Sequence, residues 1–286
     1  MLKISDTANQ IPLHKIMTKI RPFLKWAGSK YNCLNEILLS LPSGKRLIEP
    51  FAGSGVIFMN THYSSYLLAE SNPDLISIFS TLQTQGDEFI NYSQQFFSPA
   101  FNNKDLYYEI RTEFNQLSAS PKKSAYFLYL NRHGFNGLCR YNSKGLYNVP
   151  FGLYTKPYFP SQEMMLFYQK SMQANFIHND FRNTFAMARK GDVIYCDPPY
   201  VPLNSHTQSI PYTPKPFSEA DQIDLAELAG ATAARGIPVI ISNHDTEFTR
   251  YHYQKAEIRS FPVSRYINCQ VNLRQPVKEL VAIFKR

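Results

Sequence analysis

The chain has 286 residues, of which 44% are hydrophobic and 18% charged, a balance typical of a globular protein with a sizeable core. Its apolar runs are shorter than a membrane span and its first 20 residues mix apolar with polar side chains, so we expect neither a membrane helix nor a signal peptide. The four cysteines lack the paired spacing of a zinc site or a disulfide framework. We therefore expect a cytoplasmic protein without a metal. The cysteines are Cys33, Cys139, Cys196 and Cys269.

The formal net charge is +8, and its distribution is more informative than its size. No Asp or Glu occurs from Phe114 to Gln162, although basic and aromatic residues are frequent there. Cations that attract phosphate, interleaved with rings that stack on bases, are typical of a nucleic-acid surface. The rings of AYFLYL (125–130) are expected to be core instead. The basic residues are Lys122, Lys123, Arg132, Arg140, Lys144 and Lys156.

Apolar runs that end in polar residues predict the strands of a sheet. Residues 46–51, 64–70, 175–180, 192–197 and 237–243 predict buried strands, and 218–236 predicts a helix capped by Ser218 and ended by Gly236. Residues 256–263 and 278–285 predict a closing hairpin. Alternation of buried strands and helices predicts a doubly wound, mostly parallel α/β sheet. Its ligand edge would carry the polar strand ends Glu49, Glu70, Asp180, Asp197 and Asn243.

The segment between the second and third strands, about 72 to 174, is too long for a simple crossover. Since it contains the acid-free, ring-rich stretch, we interpret it as an inserted domain over the ligand edge. The predicted division is 81–171 for the insertion and 1–80 with 172–286 for the discontinuous main domain.

Three motifs carry the candidate chemistry. In EPFAGSG (49–55), a glycine turn lets a ligand approach the backbone, and Glu49 suits an ammonium group rather than a phosphate. Glu70 ends the next strand, where an acid usually binds ribose hydroxyls. The second motif, FLKWAGSK (23–30), contains the single tryptophan. A tight turn, or a buried tryptophan near a turn, would also explain the glycine-containing motifs.

DPPY (197–200) follows the strand DVIYC. The prolines fix the backbone, so the Asp197 side chain and the Pro198 carbonyl form two adjacent acceptors that suit an NH₂ group. Tyr200 offers a face for the ring that carries this group. A strand-terminating Pro198-Pro199 turn is the simpler alternative.

KWAGSK, EPFAGSG and DPPY, with the long insertion before the last, resemble the N6-adenine DNA methyltransferases of the Dam type. The resemblance extends through LNRHGFNGLCRYNSKGLYNVPFG (130–152), KPYFP (156–160) and ISNHD (241–245), and it covers nearly the whole chain from about residue 21. It implies a seven-stranded S-adenosylmethionine-dependent sheet, a mainly helical DNA-recognition insertion, and methyl transfer to adenine N6 in double-stranded 5′-GATC-3′. It also implies that the target adenine leaves the duplex. We expect a monomer that needs no metal.

The resemblance assigns the cofactor to one set of residues. Trp26 and Lys30 would line its methionine end, and Glu49 would lie near its amino group. Phe51, Gly53 and Gly55 would shape the pocket, and Asp180 with Phe181 would meet its adenine. Glu70 would bind the ribose, in place of the aspartate that relatives often use. Asp197, Pro198, Pro199 and Tyr200 would form the catalytic motif.

The resemblance assigns the DNA to another set. Arg140 would bind a guanine, Leu138 and Pro150 a thymine methyl, and Lys25 and Tyr154 the first guanine. Phe135, where close relatives have tyrosine, would fill the space left by the flipped adenine, followed by Asn136. Arg132 would contact phosphate. Leu153 replaces a basic residue of relatives, which predicts a shallower salt dependence.

Other classes stay open at this point. A methyltransferase of RNA adenine or of a glutamine amide could use the same acceptors, although such relatives more often have Asn before Pro-Pro-Tyr. A non-catalytic DNA-binding protein could keep the cofactor as a structural ligand. Roles in mismatch repair, gene regulation and restriction are all compatible with the sequence.

Overall fold

A computed structural model describes residues 19–201, 217–263 and 277–286, and within these ranges there are seven strands and ten α-helices. The strands are β1 (Arg46–Glu49), β2 (Ser65–Glu70), β3 (Ala174–His178), β4 (Asp192–Cys196), β5 (Val239–His244), β6 (Glu257–Val263) and β7 (Val277–Phe284). The helices are α1 (Leu34–Leu38), α2 (Val56–Met59), α3 (Pro73–Gln85), α4 (Asp87–Gln94), α5 (Lys104–Gln116), α6 (Pro121–His133), α7 (Ser161–Ser171), α8 (Phe181–Ala186), α9 (Glu219–Ala234) and α10 (Glu247–His252).

One sheet contains all these strands, in the order β3-β2-β1-β4-β5-β7-β6. The first five are parallel, and β7 pairs antiparallel with both β5 and β6. The predicted mostly parallel, seven-stranded sheet and its closing hairpin are therefore confirmed. The register of β1 and β4 pairs Arg46 with Asp192, whose side chains form an ion pair of 2.6 Å at the start of both strands.

Burial follows the position of each strand in the sheet. Every residue of β4 and β5 is buried, as expected for central strands covered on both faces. The edge strand β6 is mostly exposed and contains Pro262, which an edge strand tolerates because one side of its backbone is unpaired. Two hydrophobic clusters cover the faces of the sheet.

The parallel strands bring their carboxyl ends to one edge of the sheet. Glu49 and Glu70 are the last residues of β1 and β2, and Asp197 directly follows β4. On the helical side, α9 begins at a capping box between Ser218 and Asp221, and Gly236 lies just beyond its end at φ 80°. Both predicted limits of this helix are confirmed.

The segment between β2 and β3 is helical, as predicted, and α6 packs against α3, α4 and α5. Tyr126, Phe127 and Tyr129 on α6 are buried, so their prediction as core is confirmed. The hydrophobic cluster that contains them continues without interruption into the sheet. Helix α3 crosses the predicted boundary at residues 80 and 81, and the domain division stays a prediction.

None of the helices in the described ranges has the length and apolar character needed to cross a bilayer. Cys33, Cys139 and Cys196 are free thiols. The fourth cysteine, Cys269, lies outside the described residues.

Candidate active site

Asp197 lies at the carboxyl end of β4, between Lys30 and β5. Its Oδ1 atom is 3.0 Å from the ammonium of Lys30 and accepts a hydrogen bond from the Ser242 hydroxyl at 2.9 Å. Burial raises the pKa of the Asp197 carboxyl, and the adjacent Lys30 ammonium opposes that shift. Lys30 is itself buried and also donates to the Gly28 carbonyl at 2.6 Å. The carboxylate is therefore held in one orientation by two donors from distant parts of the chain.

The two prolines of the motif are fixed by the neighbouring helix. The Pro199 carbonyl accepts a hydrogen bond from Gln222 Nε2 on α9 at 2.6 Å, and Gln222 in turn accepts from the amide of Asn243. Among the described residues, neither a backbone amide nor a side chain forms a hydrogen bond to the Pro198 carbonyl. The Asp197 carboxylate and the Pro198 carbonyl are thus two neighbouring acceptors on a rigid loop.

Tyr200 is held at its hydroxyl and around its ring. The hydroxyl donates to Glu279 Oε2 on β7 at 3.1 Å. The ring of His244 meets the ring of Tyr200 at 76°, with centroids 4.7 Å apart. The Lys30 ammonium lies 4.4 Å from the centroid of the Tyr200 ring, in cation–π geometry. All four groups belong to one cluster beside Asp197.

The two glycine turns contact each other. Gly53 has φ 48° and Gly55 has φ 71°, conformations that favour glycine, and Gly55 precedes α2. A Cβ atom at Gly53 would lie 3.2 Å from the Trp26 ring, so the turn of EPFAGSG packs closely against that of KWAGSK, the first turn in the chain. Gly28 in the first turn has φ 79°. EPFAGSG and KWAGSK therefore form one wall of the site.

Glu49 is a buried acid, only 2% exposed, and its Oε1 atom has no hydrogen-bond partner among the described residues. Burial, followed by the charge of Asp197, raises the pKa of Glu49 to about 8. The charge of Lys170 on α7 partly opposes the shift, and burial lowers the pKa of Lys170 to about 8. An unpaired carboxylate oxygen in this position suits a cationic ligand group.

Glu70 connects the end of β2 to the glycine turn. Its Oε2 accepts from the Gly53 amide at 3.2 Å, and its Oε1 accepts from the Ser71 amide at 2.9 Å. Burial raises the pKa of Glu70, while these hydrogen bonds act in the opposite direction. The Oε1 atom also accepts from the Ser71 hydroxyl and the Asn72 amide, so the capacity to accept a further hydroxyl donor lies on Oε2.

Asp180 and Phe181 lie where β3 passes into α8. The Asp180 side chain accepts from the Arg182 amide at 2.8 Å and caps the helix. Phe181 stacks on Phe51, with centroids 5.5 Å apart, and Phe217 packs edge-on against Phe51 at 5.6 Å. These rings form an apolar surface at the same edge of the sheet.

Lys25 and Tyr154, predicted to bind the same guanine, are adjacent. The Lys25 ammonium lies 3.9 Å from the centroid of the Tyr154 ring. The backbone amide of Lys25 donates to Asn131 Oδ1 on α6 at 2.9 Å, and its side chain passes over Gly137. The segment that carries KWAGSK therefore also contacts the insertion.

Arg140 is oriented by Asn148. Its Nε donates to Asn148 Oδ1 at 2.8 Å and its Nη2 to the Asn148 carbonyl at 3.2 Å. A guanidinium has five N–H donors, so the three not used here can still form a fork. Leu138 is partly buried against the core.

Phe135 is 48% exposed although it is a large apolar residue. Its amide donates to the Pro150 carbonyl at 2.8 Å, and Pro150 is itself exposed. Asn136 has φ 53°, a left-handed conformation that asparagine tolerates better than most residues. Leu153 is 95% exposed. These residues lie on the surface of the insertion.

Arg132 requires a correction, because its guanidinium is not available to phosphate in this structure. The residue is only 7% exposed, and both Nε and Nη2 donate to the Phe23 carbonyl, Nε at 3.0 Å. Burial lowers its pKa to about 10. Arg132 ties α6 to the segment before KWAGSK, so we assign it a structural role.

A family model described as D12 class N6 adenine-specific DNA methyltransferase matches residues 26–265. The chain belongs to this family. Its activity is accordingly site-specific methylation of adenine in DNA, and the resemblance inferred from the motifs is confirmed. The match includes DPPY and both glycine turns. No group of three or more His, Cys, Asp or Glu side chains is arranged to hold a metal ion among the residues that the structure describes.

Curated relatives agree with this assignment over most of the chain. The DNA adenine methylase of Serratia marcescens is 46% identical over 94% of this chain and 100% of the relative. The DNA adenine methylase of Vibrio cholerae is 46% identical and that of Escherichia coli K12 is 44% identical, each over 94% of this chain and 97% of the relative. Among solved structures, an rRNA methyltransferase from Streptomyces viridochromogenes is 10% identical with a TM-score of 0.31, over 87% of this chain and 81% of that one. This last similarity is too low to support an inference.

Several residues of this methyltransferase site were missed in the sequence. Ser242 and Gln222 hold the DPPY loop, and Phe217 packs on Phe51. Glu279 binds Tyr200 from a strand that we had predicted only as half of a hairpin. Its one sequence signal is a carboxylate at the start of the buried run ELVAIF.

Proposed function

We propose that this enzyme transfers the methyl group of S-adenosylmethionine to N6 of an adenine that has flipped out of double-stranded 5′-GATC-3′. The observation that carries the proposal is the pair of acceptors on the DPPY loop, Asp197 and the Pro198 carbonyl, beside the oriented ring of Tyr200. When bound, the cofactor supplies an electrophilic methyl group on a sulfonium.

Adenine N6 is a poor nucleophile because its lone pair is delocalised into the ring. Hydrogen bonds from its two N–H groups to Asp197 and to the Pro198 carbonyl favour a pyramidal nitrogen whose lone pair points at the methyl. Tyr200 would stack on the base. Positioning and negative charge near the nitrogen lower the barrier, so no strong base is needed. As the N–C bond forms, the bond between the methyl group and sulfur would break and S-adenosylhomocysteine would leave as a neutral thioether. Loss of one N6 proton to water then restores a neutral methylated adenine.

The residues present fit the cofactor. The unpaired, buried oxygen of Glu49 suits the ammonium of its methionine part, with Trp26 and Lys30 nearby on the first turn. Gly53 and Gly55, at positive φ, would shape the turn that faces the cofactor, and Glu70 would accept the ribose hydroxyls. Phe51, Phe181 and Asp180 would enclose the adenine.

The insertion supplies the proposed DNA contacts. Arg140, oriented by Asn148, would donate hydrogen bonds from its remaining N–H groups to a guanine. Such a contact favours guanine over other bases by ~1–3 kcal/mol. Lys25 and Tyr154 would read the first guanine, and Leu138 and Pro150 the thymine methyl. Phe135, exposed with Asn136 at its side, would replace the flipped adenine in the stack at a cost of a few kcal/mol for unpairing.

Methyl transfer from labelled S-adenosylmethionine to a panel of short nucleic acids tests the specificity. The panel contains a GATC duplex, the same duplex pre-methylated on both adenines, and the RNA equivalent. It also contains duplexes in which one of the three base pairs other than that of the target adenine is changed. We expect incorporation into the unmodified GATC duplex alone. Equal incorporation into changed duplexes or into RNA would refute the proposed substrate.

Asp197→Asn tests the catalytic motif in the same assay. We expect turnover to be lost while DNA and cofactor still bind, because asparagine keeps the shape but not the charge. Tight GATC binding by the unmodified enzyme without any transfer would favour the non-catalytic alternative. A monomer and a cytoplasmic location stay predictions, the first of which sedimentation would test.

A further inference from the structure

Glu279 is a buried carboxylate at the active-site edge of the sheet, and the mechanism proposed above gives it no role. It is 6% exposed and lies on β7, opposite His244 in the antiparallel pairing of β5 with β7. Its Oε2 accepts the hydroxyl of Tyr200 at 3.1 Å, while His244 packs against the ring of the same tyrosine. Two paired residues of the sheet therefore hold one catalytic aromatic side chain.

A carboxylate is a costly way to hold a tyrosine hydroxyl. Glutamine would accept the same hydrogen bond without placing a charge in a buried environment. The cluster also contains the buried ammonium of Lys30, 3.0 Å from Asp197 and 4.4 Å from the Tyr200 ring centroid. The charges of both Asp197 and Glu279 raise the pKa of Lys30, which burial alone would lower. The charge of Glu279 thus stabilises the protonated form of Lys30, which is the cation that contacts Asp197.

The balance of charge matters for the reaction. Lys30 is needed to orient Asp197, but its positive charge opposes the cationic sulfonium and the positive charge that develops on N6. A second carboxylate leaves two anions for one cation among Lys30, Asp197 and Glu279. A net negative cluster stabilises a cationic transition state in a site of low dielectric.

We propose that Glu279 is a positioning residue for methyl transfer, which fixes the Tyr200 ring through its hydroxyl and compensates the positive charge of Lys30. The inference rests on the role of the DPPY motif proposed above. It divides the contribution of Glu279 into two parts, a hydrogen bond that glutamine can replace and a charge that it cannot.

Glu279→Gln and Glu279→Ala, each made in the wild-type and in the Tyr200→Phe background, separate these parts. In the wild-type background we expect kcat to fall on the order of tenfold for Gln and on the order of a hundredfold for Ala, with KM for DNA nearly unchanged. In the Tyr200→Phe background the Gln and Ala variants should lower kcat by the same factor, because this background has no Tyr200 hydroxyl for residue 279 to bind. Glu257→Gln is the matched control and should keep wild-type kcat, because Glu257 is an exposed carboxylate that pairs with Lys285, just beyond the end of β7.

A spectroscopic readout distinguishes positioning from a purely structural role. 2-Aminopurine at the target position becomes fluorescent when it leaves the stack and is quenched when it stacks on a ring. Glu279→Gln should keep the wild-type intensity, whereas Glu279→Ala should raise it because the Tyr200 ring is no longer fixed. If Glu279→Ala does not fold, the kcat of the isosteric Gln variant still tests the charge.

The inference is overturned if Glu279→Gln keeps kcat within twofold of the wild type. It is also overturned if, in the Tyr200→Phe background, the Ala variant lowers kcat more than the Gln variant does. Asp197→Asn is measured in parallel. Retained turnover in Asp197→Asn would refute the DPPY assignment together with this inference. Lost turnover in Asp197→Asn with unchanged turnover in Glu279→Gln would refute the role of Glu279 alone.

Discussion

Replacing Glu49 with glutamine should change how the stability of the cofactor-free enzyme depends on pH. Glu49 is 2% exposed, and burial raises its pKa from 4.5 to about 8. Between these values the folded state keeps a proton that the unfolded state has lost. Folding stability due to this group is therefore complete below pH 4.5 and is lost as the pH rises through about 8.

The two pKa values set the size of the effect. Each unit of pH within this window removes up to about 1.4 kcal/mol from the free energy of unfolding. Between pH 5 and pH 7 the loss from Glu49 amounts to about 2.5 kcal/mol. Glutamine does not titrate, so the free energy of unfolding of the variant should rise by about 2.5 kcal/mol relative to that of the wild type over the same interval.

Urea unfolding at pH 5, 6 and 7, followed by circular dichroism, measures this difference. Comparing the two proteins at each pH cancels the other titrating groups and any constant effect of the buried amide. Glu257→Gln is the control: its ion pairs with Lys285 and Arg259 lower the pKa of Glu257, so its difference from the wild type should stay constant above pH 5. A constant difference for Glu49→Gln as well would show that Glu49 is ionised in the folded protein, and would refute the reasoning.

Three further predictions concern DNA. Arg140→Ala should lower the preference for GATC over duplexes changed at its guanine by about ten- to a hundredfold in kcat/KM, and unchanged discrimination would contradict its assignment. Phe135→Ala should weaken binding of a GATC duplex by ~1–3 kcal/mol and lower the 2-aminopurine signal at the target position, and a wild-type signal would contradict its role in the vacated stack. Leu153→Lys should steepen the plot of log affinity against log salt by about one unit, which an unchanged slope would contradict.

The fold was predictable because its central strands are short, buried and ended by polar residues. β4 and β5 are continuous apolar runs that end in polar residues, and this pattern fixes both their type and the edge where the acids gather. The start and end of α9 followed from the cap at Ser218 and the glycine at 236. Local signals of this kind do not depend on the rest of the chain.

What could not be predicted depends on contacts between distant segments. Arg132 looked like a phosphate contact because the stretch around it is basic, but it lies on the buried side of α6 and binds the Phe23 carbonyl, 109 residues away. Glu279 reaches Tyr200 only because the register of β7 on β5 places it opposite His244. No local pattern in the sequence encodes either contact.

The central claim is that the DPPY loop holds the amino group of a flipped adenine by one side-chain oxygen and one main-chain oxygen. A crystal structure of the enzyme with a GATC duplex and a non-reactive cofactor analogue measures this directly. We predict N6 within about 2.7–3.2 Å of both an Asp197 carboxylate oxygen and the Pro198 carbonyl oxygen, with the base stacked on Tyr200. A flipped adenine whose N6 is bound elsewhere, with Asp197 still occupied by Lys30 and Ser242 alone, would contradict the account.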